Sequence, residues 1–235
     1  MSGWGRKRFW TSVDVAETPE GFSVRLDGRA LKTPAKALLV VPTRAMALLI
    51  AAEWEAQGDQ IRPDSMPATR AANAALDKVR GQFAEVAELL TAYGETDLLC
   101  YRADGPAELV ARQAAAWDPL LDWAARHFGV DWAVTTGVMP TPQAAATLDR
   151  LAAHVAGFTA FELTAFHDLV AMSGSLVIAL ALTEGQAPPE ALWQASRIDE
   201  DWQVEQWGED DEAAATAARR HRAFLDAARF FAVCR

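Results

Sequence analysis

The 235-residue sequence has few of the residues on which disulfide scaffolds, helical metal sites and membrane spans depend. Its two cysteines, Cys100 and Cys234, are far apart and form no Cys-x-x-Cys pair, which argues against a disulfide scaffold and favours a reducing compartment. None of its four histidines lies three or four residues from another, so a helical zinc pair is excluded. The most apolar stretch, 169–182, is 14 residues long, whereas a membrane span needs about 20.

The motifs that usually carry catalysis or nucleotide binding are also missing. There is no Gly-x-x-x-x-Gly-Lys-Ser/Thr loop, no Gly-x-Gly-x-x-Gly after a strand and no Gly-x-Ser-x-Gly elbow. His167-Asp168 precedes Ser173 and Ser175, and the acidic run after residue 198 could hold a carboxylate pair, so a hydrolase remains the alternative. We predict a protein that is not an enzyme and that has no catalytic, cofactor-binding or metal-binding residues.

Basic charge is scarce. The chain has 32 acidic and 22 basic residues and a formal net charge of −10, which argues against a role in binding nucleic acid or anionic membranes. The amino-terminal residues 1–10 include the basic side chains Arg6, Lys7 and Arg8 but lack the apolar run of a secretory signal. We therefore expect a cytoplasmic protein without a targeting presequence.

The hydrophobic pattern predicts an α+β fold. Apolar residues alternate from Arg8 to Leu39, and Asp27-Gly28 is a strong tight-turn signal, so this region should form a small antiparallel sheet. After Thr43 the period becomes helical, so Thr43 is expected to cap the first helix, with Trp54 on its apolar face. The predicted domains are an N-terminal β-rich domain with one helix at 1–62 and a larger, mainly α-helical domain at 63–235.

Three features of the helical region lead to further expectations. Pro119 is expected to kink or divide the helix that contains it, because proline removes a backbone hydrogen bond. Apolar alternation over 130–134 predicts a short strand or an extended arm before Pro140, and the apolar run 158–184 predicts a buried helix in one or two pieces.

An acidic segment, residues 195–212, holds most of the net charge. It carries eight acidic residues and one arginine, a net charge of −7 out of −10 for the whole chain. As a helix ending at Gly208 it would bury Ile198 and Trp202 and expose a ridge of like charges, which suits a surface that meets a basic partner. A plain solvated face is the simpler interpretation. The candidate partner-binding residues are Asp199, Glu200, Asp201, Glu205, Trp202 and Trp207.

The basic C-terminal tail offers a structural rival to partner binding. Residues 213–235 contain five arginines and a single acid, Asp226, so the tail has a net charge of +4. If these arginines paired with the acidic segment, the acids would stabilise the fold and would not be available to another protein.

Ordered motifs along nearly the whole chain resemble one known family. The segment 196–208 reads Ser-Arg-Ile-Asp-Glu-Asp-Trp-Gln-Val-Glu-Gln-Trp-Gly, and it is preceded by Leu-Asp-Gly-Arg-Ala-Leu-Lys-Thr-Pro at 26–34 and Ala-Glu-Trp-Glu-Ala-Gln-Gly at 52–58. Further matches are Ile-Arg-Pro-Asp-Ser-Met-Pro at 61–67, Thr-Asp-Leu-Leu-Cys-Tyr-Arg at 96–102 and Trp-Asp-Pro-Leu-Leu-Asp-Trp at 117–123. The chain thereby resembles the assembly chaperone of the F-type ATP synthase catalytic head.

The resemblance implies a transient partner and a set of functional residues. It implies a molecular chaperone that binds the free alpha subunit of ATP synthase and shields its beta-contacting surface until the hexamer forms. The chaperone is expected to be monomeric when free and not to insert into membranes, and eukaryotic relatives would work in the mitochondrial matrix. By analogy an essential acid lies in the Arg-Ile-Asp-Glu-Asp segment, where we rank Glu200 and Asp199 above Glu205. Trp54 is expected to serve folding.

Overall fold

A computed structural model describes residues 7–137 and 139–235 of the chain. The expectation about the amino-terminal segment depends on residues 1–6, which lie outside the described residues. The chain forms two compact units. Among the described residues, the first comprises 7–83 together with Thr159–Ala165 and Arg229–Arg235, and the second comprises Ala84–Phe158 and Phe166–Ala228. The predicted division after residue 62 lies inside the first unit, and it stays a prediction about separately folding domains.

The structure confirms the predicted α+β class, with a small antiparallel sheet followed by a mostly helical region. The strands are β1 Val13–Thr18, β2 Gly21–Leu26, β3 Arg29–Ala30, β4 Val40–Val41, β5 Tyr101–Arg102 and β6 Thr135–Thr136. The helices are α1 Arg44–Glu55, α2 Pro67–Asp77, α3 Phe83–Thr91, α4 Ala107–Phe128, α5 Ala145–Val155, α6 Ala160–Ser173, α7 Leu176–Thr183, α8 Pro189–Ala195, α9 Ile198–Trp207 and α10 Asp211–Ala232.

The N-terminal sheet is organised around β2, which pairs antiparallel with β1, β3 and β4. The predicted turn at Asp27-Gly28 joins β2 to β3, and both residues have positive φ angles, 48° and 75°, as a two-residue hairpin turn of type I′ requires. The Asp27 carboxylate accepts hydrogen bonds from the backbone and hydroxyl groups of Thr11 and Ser12. These bonds lower the pKa of Asp27 to about 2, so the carboxylate in the turn stays ionised at any physiological pH.

The first helix begins and packs as its sequence predicts. Thr43 caps α1, because its hydroxyl accepts a hydrogen bond from the backbone N–H of Met46. Trp54, near the end of α1, is half-buried and lies edge-to-face against Trp10 with ring centroids 5.1 Å apart. Trp10 is only 3% exposed, so the two indoles join α1 to the chain that leads into the sheet.

The expected division of the helix at Pro119 is wrong. Helix α4 continues through Pro119 as one element. Its neighbours Trp117 and Leu121 are both buried, and tertiary packing on either side of the proline outweighs the missing backbone hydrogen bond. The segment 130–134, expected as a short strand or an extended arm, has no regular secondary structure and leads directly into β6, which pairs parallel with β5.

The apolar run forms two buried helices, α6 and α7, separated at Gly174, whose φ of +72° ends the first helix. The fully buried Asp97 fixes the start of the second. Its Oδ1 accepts hydrogen bonds from the Leu99 N–H at 3.0 Å and the Ser175 hydroxyl at 2.8 Å, and its Oδ2 accepts one from the Val177 N–H at 3.0 Å. One carboxylate therefore links the 98–100 turn to the N-terminus of α7.

Both cysteines are free thiols and both are buried. Burial raises the pKa of Cys100 to about 12, with a further contribution from the negative charge of Asp97. Burial raises the pKa of Cys234 to about 12 as well, and Glu162 adds to the effect. Neither thiol is therefore poised for redox or nucleophilic chemistry. In the ranges 7–137 and 139–235, no helix has the length and apolarity needed to cross a bilayer.

Candidate partner-binding site

The central part of the acidic segment, Ile198–Trp207, forms helix α9, which packs against α4. Trp202 is 8% exposed, and the guanidinium carbon of Arg112 lies 4.8 Å from its ring centroid. Just before α9, the carbonyl oxygen of Ala195 accepts a hydrogen bond of 2.7 Å from the buried indole N–H of Trp117. The predicted burial of Trp202 on the inner face of the helix is thus observed.

Arg112 binds one of the predicted site residues. Its Nη1 donates to both carboxylate oxygens of Glu205 at 2.7 Å, and its Nη2 donates to Glu108 at 2.9 Å. Hydrogen bonds to Glu205 and then to Glu108 raise the pKa of Arg112 above its ordinary value. Glu205 is consequently engaged within the fold by a residue of α4.

Gln113, the next residue of α4, binds a second candidate acid. Its side chain is 1% exposed, and its Nε2 donates to Asp199 Oδ1 at 2.6 Å. Its Oε1 accepts the backbone N–H of Ala103 at 2.8 Å. Arg112 and Gln113 therefore hold the two ends of α9, and we call these two residues the α4 clamp.

The remaining acids of the segment face solvent. Glu200 pairs with Arg197 at 2.9 Å, an i,i+3 contact on the surface. Asp210 caps α10 by accepting the Ala213 N–H at 2.8 Å. Within the described part of the chain, no ion pair is formed by the carboxylates of Asp201, Glu209, Asp211 and Glu212.

The C-terminal arginines do not neutralise the acidic segment in the described residues. Arg219 donates to the Thr216 hydroxyl, and Arg220 donates to the carbonyl oxygen of Ala171. Arg235 pairs with Glu162 at 2.5 Å. Residues 7–137 and 139–235 therefore show no intramolecular pairing of the tail with the acidic segment. This pairing was the structural alternative to partner binding.

The structure separates the six candidate residues into two groups. Asp199, Glu205 and Trp202 face α4 and are held by it. Glu200, Asp201 and Trp207 are exposed, and Trp207 is 83% exposed. Sequence reasoning missed the α4 clamp, although Gln113 gave a signal as a polar residue among the apolar positions of its helix.

The serine side chains considered for a hydrolase site make hydrogen bonds to other parts of the fold. His167 contacts Asp168 at 3.0 Å, but the Ser173 hydroxyl donates to the Leu169 and Ser175 carbonyl oxygens and the Ser175 hydroxyl donates to Asp97. No cluster of three or more His, Cys, Asp or Glu side chains suited to a metal occurs where the structure describes the chain.

A hydrophobic replacement of Gln113 tests the α4 clamp. Gln113→Leu should lower the free energy of unfolding by about 2 kcal/mol, because it leaves the Ala103 N–H and the Asp199 carboxylate without their partner. Urea unfolding measures the loss, and hydrogen exchange should become faster in the first turn of α9. Gln194→Leu, at an exposed glutamine of α8, is the control and should change stability by less than about 0.5 kcal/mol. Equal stability of the two variants would contradict the clamp.

Comparison with known proteins identifies the family. The family model of the ATP12 chaperone protein matches residues 7–125, about half of the chain. The chain belongs to the ATP12 chaperone family. An aspartate-to-lysine mutant of Atp12p from P. denitrificans is 47% identical, with a TM-score of 0.95 and 100% of both chains covered. The crystal structure of Atp12 from Paracoccus denitrificans is 48% identical, with a TM-score of 0.95 over 97% of this chain and 98% of that one.

A more distant ATP12 relative supports the same assignment. The mitochondrial protein atp12 of Schizosaccharomyces pombe is 25% identical over 221 residues, which cover 88% of this chain and 75% of the relative. The family resemblance inferred from the sequence motifs is confirmed, and the protein is an ATP synthase assembly chaperone.

Proposed function

We propose that this ATP12-family chaperone binds the free alpha subunit of ATP synthase and covers its beta-contacting surface until the hexamer closes. An unpaired subunit of an obligate oligomer exposes a large apolar surface that aggregates unless it is covered. The chaperone does this as a binding protein, without catalysis, in the cytoplasm and as a monomer when free.

The observation that carries the proposal is the set of unpaired, exposed acids on and after α9. Asp201 and the carboxylates of Glu209, Asp211 and Glu212 have no ion-pair partner in the described residues, while Arg219, Arg220 and Arg235 of the C-terminal tail make other contacts. Like charges held together on one surface favour a partner that brings cations. Charge-steered contacts also form quickly and need not be very stable, which suits a cover that must leave when the beta subunit arrives.

We propose different tasks for the two groups of candidate residues. Glu200 and Asp201 contact the alpha subunit directly because they are exposed. Asp199, Glu205 and Trp202 support the contact by holding α9 on α4. Trp54 acts in folding through its contact with Trp10.

Co-expression tests the proposal. The alpha subunit is expressed alone, with this chaperone, or with the chaperone and the beta subunit. We expect alpha to remain soluble and to co-purify with the chaperone, and we expect beta to displace the chaperone from it. Raising the salt from about 50 to 500 mM should weaken the complex, because salt screens exposed charges. The proposal is wrong if alpha stays insoluble when the chaperone is present. It is also wrong if the chaperone captures no more alpha than it captures of the beta subunit expressed without alpha.

A further inference from the structure

The outward face of α9 carries apolar side chains as well as acids. At 100° per residue, Glu200, Gln203, Val204 and Trp207 fall on the side of the helix opposite Trp202. All four are exposed, Val204 at 43% and Trp207 at 83%. A valine and a tryptophan thus lie one turn apart on a solvent-facing surface, and we call these four residues the outer face of α9.

Trp207 makes little contact with the rest of the described chain. It is the last residue of α9, and Gly208, with a φ of +88°, turns the chain away from the helix immediately after it. Its ring takes part in no aromatic or cation–π pair among residues 7–137 and 139–235. A single exposed apolar side chain is ordinary, but tryptophan buries a large area and is enriched at the centres of protein interfaces.

The charges around Trp207 indicate which side chains a partner protein needs in a pocket that receives the indole. Glu200 and Asp201 lie on the preceding turns, and the acidic residues 209–212 follow directly. The only cation of the segment, Arg197, already pairs with Glu200. A pocket that receives the indole must therefore be apolar at its base and lined with lysine or arginine at its rim.

We infer that α9 docks as a helix, with Trp207 as the anchor side chain, into an apolar groove with a basic rim on the free alpha subunit of ATP synthase. This inference rests on the proposed function and specifies the chemistry of the partner surface. Val204 extends the apolar contact by one turn, and Glu200 and Asp201 meet the cations of the rim. The arrangement is that of an amphipathic helix held in a groove.

The α4 clamp makes this mode of binding favourable. Arg112 fixes the second half of α9 through Glu205, and Gln113 fixes its first turn through Asp199. The helix is therefore formed and oriented before the partner arrives, and less conformational freedom is lost on docking than if a disordered segment had to fold. Rigid presentation also keeps Trp207 exposed rather than folded back onto its own chain.

Substitution of Trp207 tests the inference in the same capture experiment. Trp207→Ala should weaken the complex with the alpha subunit by about tenfold or more and leave the thermal unfolding temperature unchanged, because the ring is exposed in the free protein. Trp207→Phe should retain part of the affinity. Phe9→Ala is the matched control, since Phe9 is an aromatic side chain 71% exposed in the other compact unit, and it should bind like the wild type.

The outcomes separate the inference from the proposed function. If wild-type chaperone captures alpha and Trp207→Ala captures it equally well, the anchor is wrong and the proposed function stands. If the wild type itself fails to capture alpha, the proposed function fails and the inference fails with it. A loss of affinity in Trp207→Ala that is matched by Phe9→Ala would also overturn the anchor, because general exposure of aromatic rings would then explain both.

Discussion

Replacing Glu200 by lysine is expected to abolish capture of the alpha subunit while the protein stays folded. Glu200 is exposed, and its carboxylate pairs at 2.9 Å with Arg197, one turn away. Such a surface pair contributes about 0.3–0.5 kcal/mol, so its loss should lower the melting temperature by no more than roughly 2 °C. The effect on binding should be much larger, because a like charge placed against a basic rim costs several kcal/mol.

Matched variants define this result more sharply. Glu200→Gln removes the charge without reversing it and should give an intermediate affinity. Glu88→Lys makes the same reversal at an exposed glutamate of α3 that forms no ion pair in the described residues, and it should bind alpha normally. Co-purification of alpha and thermal unfolding are measured for all three variants. Normal capture by Glu200→Lys, or its failure to fold, would refute the role of this carboxylate.

The second large effect is expected on stability, at Asp97. Asp97→Ala should lower the free energy of unfolding by about 3–5 kcal/mol, because it leaves three buried donors without an acceptor. These donors are the N–H groups of Leu99 and Val177 and the hydroxyl of Ser175. In a chain of this length the melting temperature should fall by about 10 °C. Asp97→Asn keeps the shape and one acceptor oxygen, and its loss should be smaller.

The stability effect at Asp97 should also depend on pH. Burial raises the pKa of Asp97, although hydrogen bonds from Val177, Leu99 and Ser175 act in the opposite direction. Because the folded value lies above the unfolded value of about 3.9, the stabilisation linked to this proton is complete below pH 3.9 and is lost as pH rises through the folded pKa. Urea unfolding from about pH 3.5 to 7 should show the advantage of wild type over Asp97→Asn shrinking with rising pH. An advantage that grows with pH would show that the hydrogen bonds dominate.

Local sequence patterns predicted more of the fold than of the candidate site. The hairpin at Asp27-Gly28 and the cap at Thr43 were predictable, because each depends on the conformational preference of one or two residues. The continuous α4 was not, because the local cost of Pro119 is offset by the packing of Trp117 and Leu121. Local sequence patterns therefore predicted which helices and turns form better than they predicted where a helix ends.

By itself the sequence determined the α+β class, the concentration of acid in residues 195–212 and the family of the protein, because periodicity, charge and motif order are properties of the chain alone. Only the tertiary structure decided which acids are already engaged. Asp199 binds Gln113 and Glu205 binds Arg112, across 86 and 93 residues of chain. Contacts at such separations arise from packing α9 on α4, so no local pattern shows that Asp199 and Glu205 are held by α4 while Glu200 and Asp201 are not.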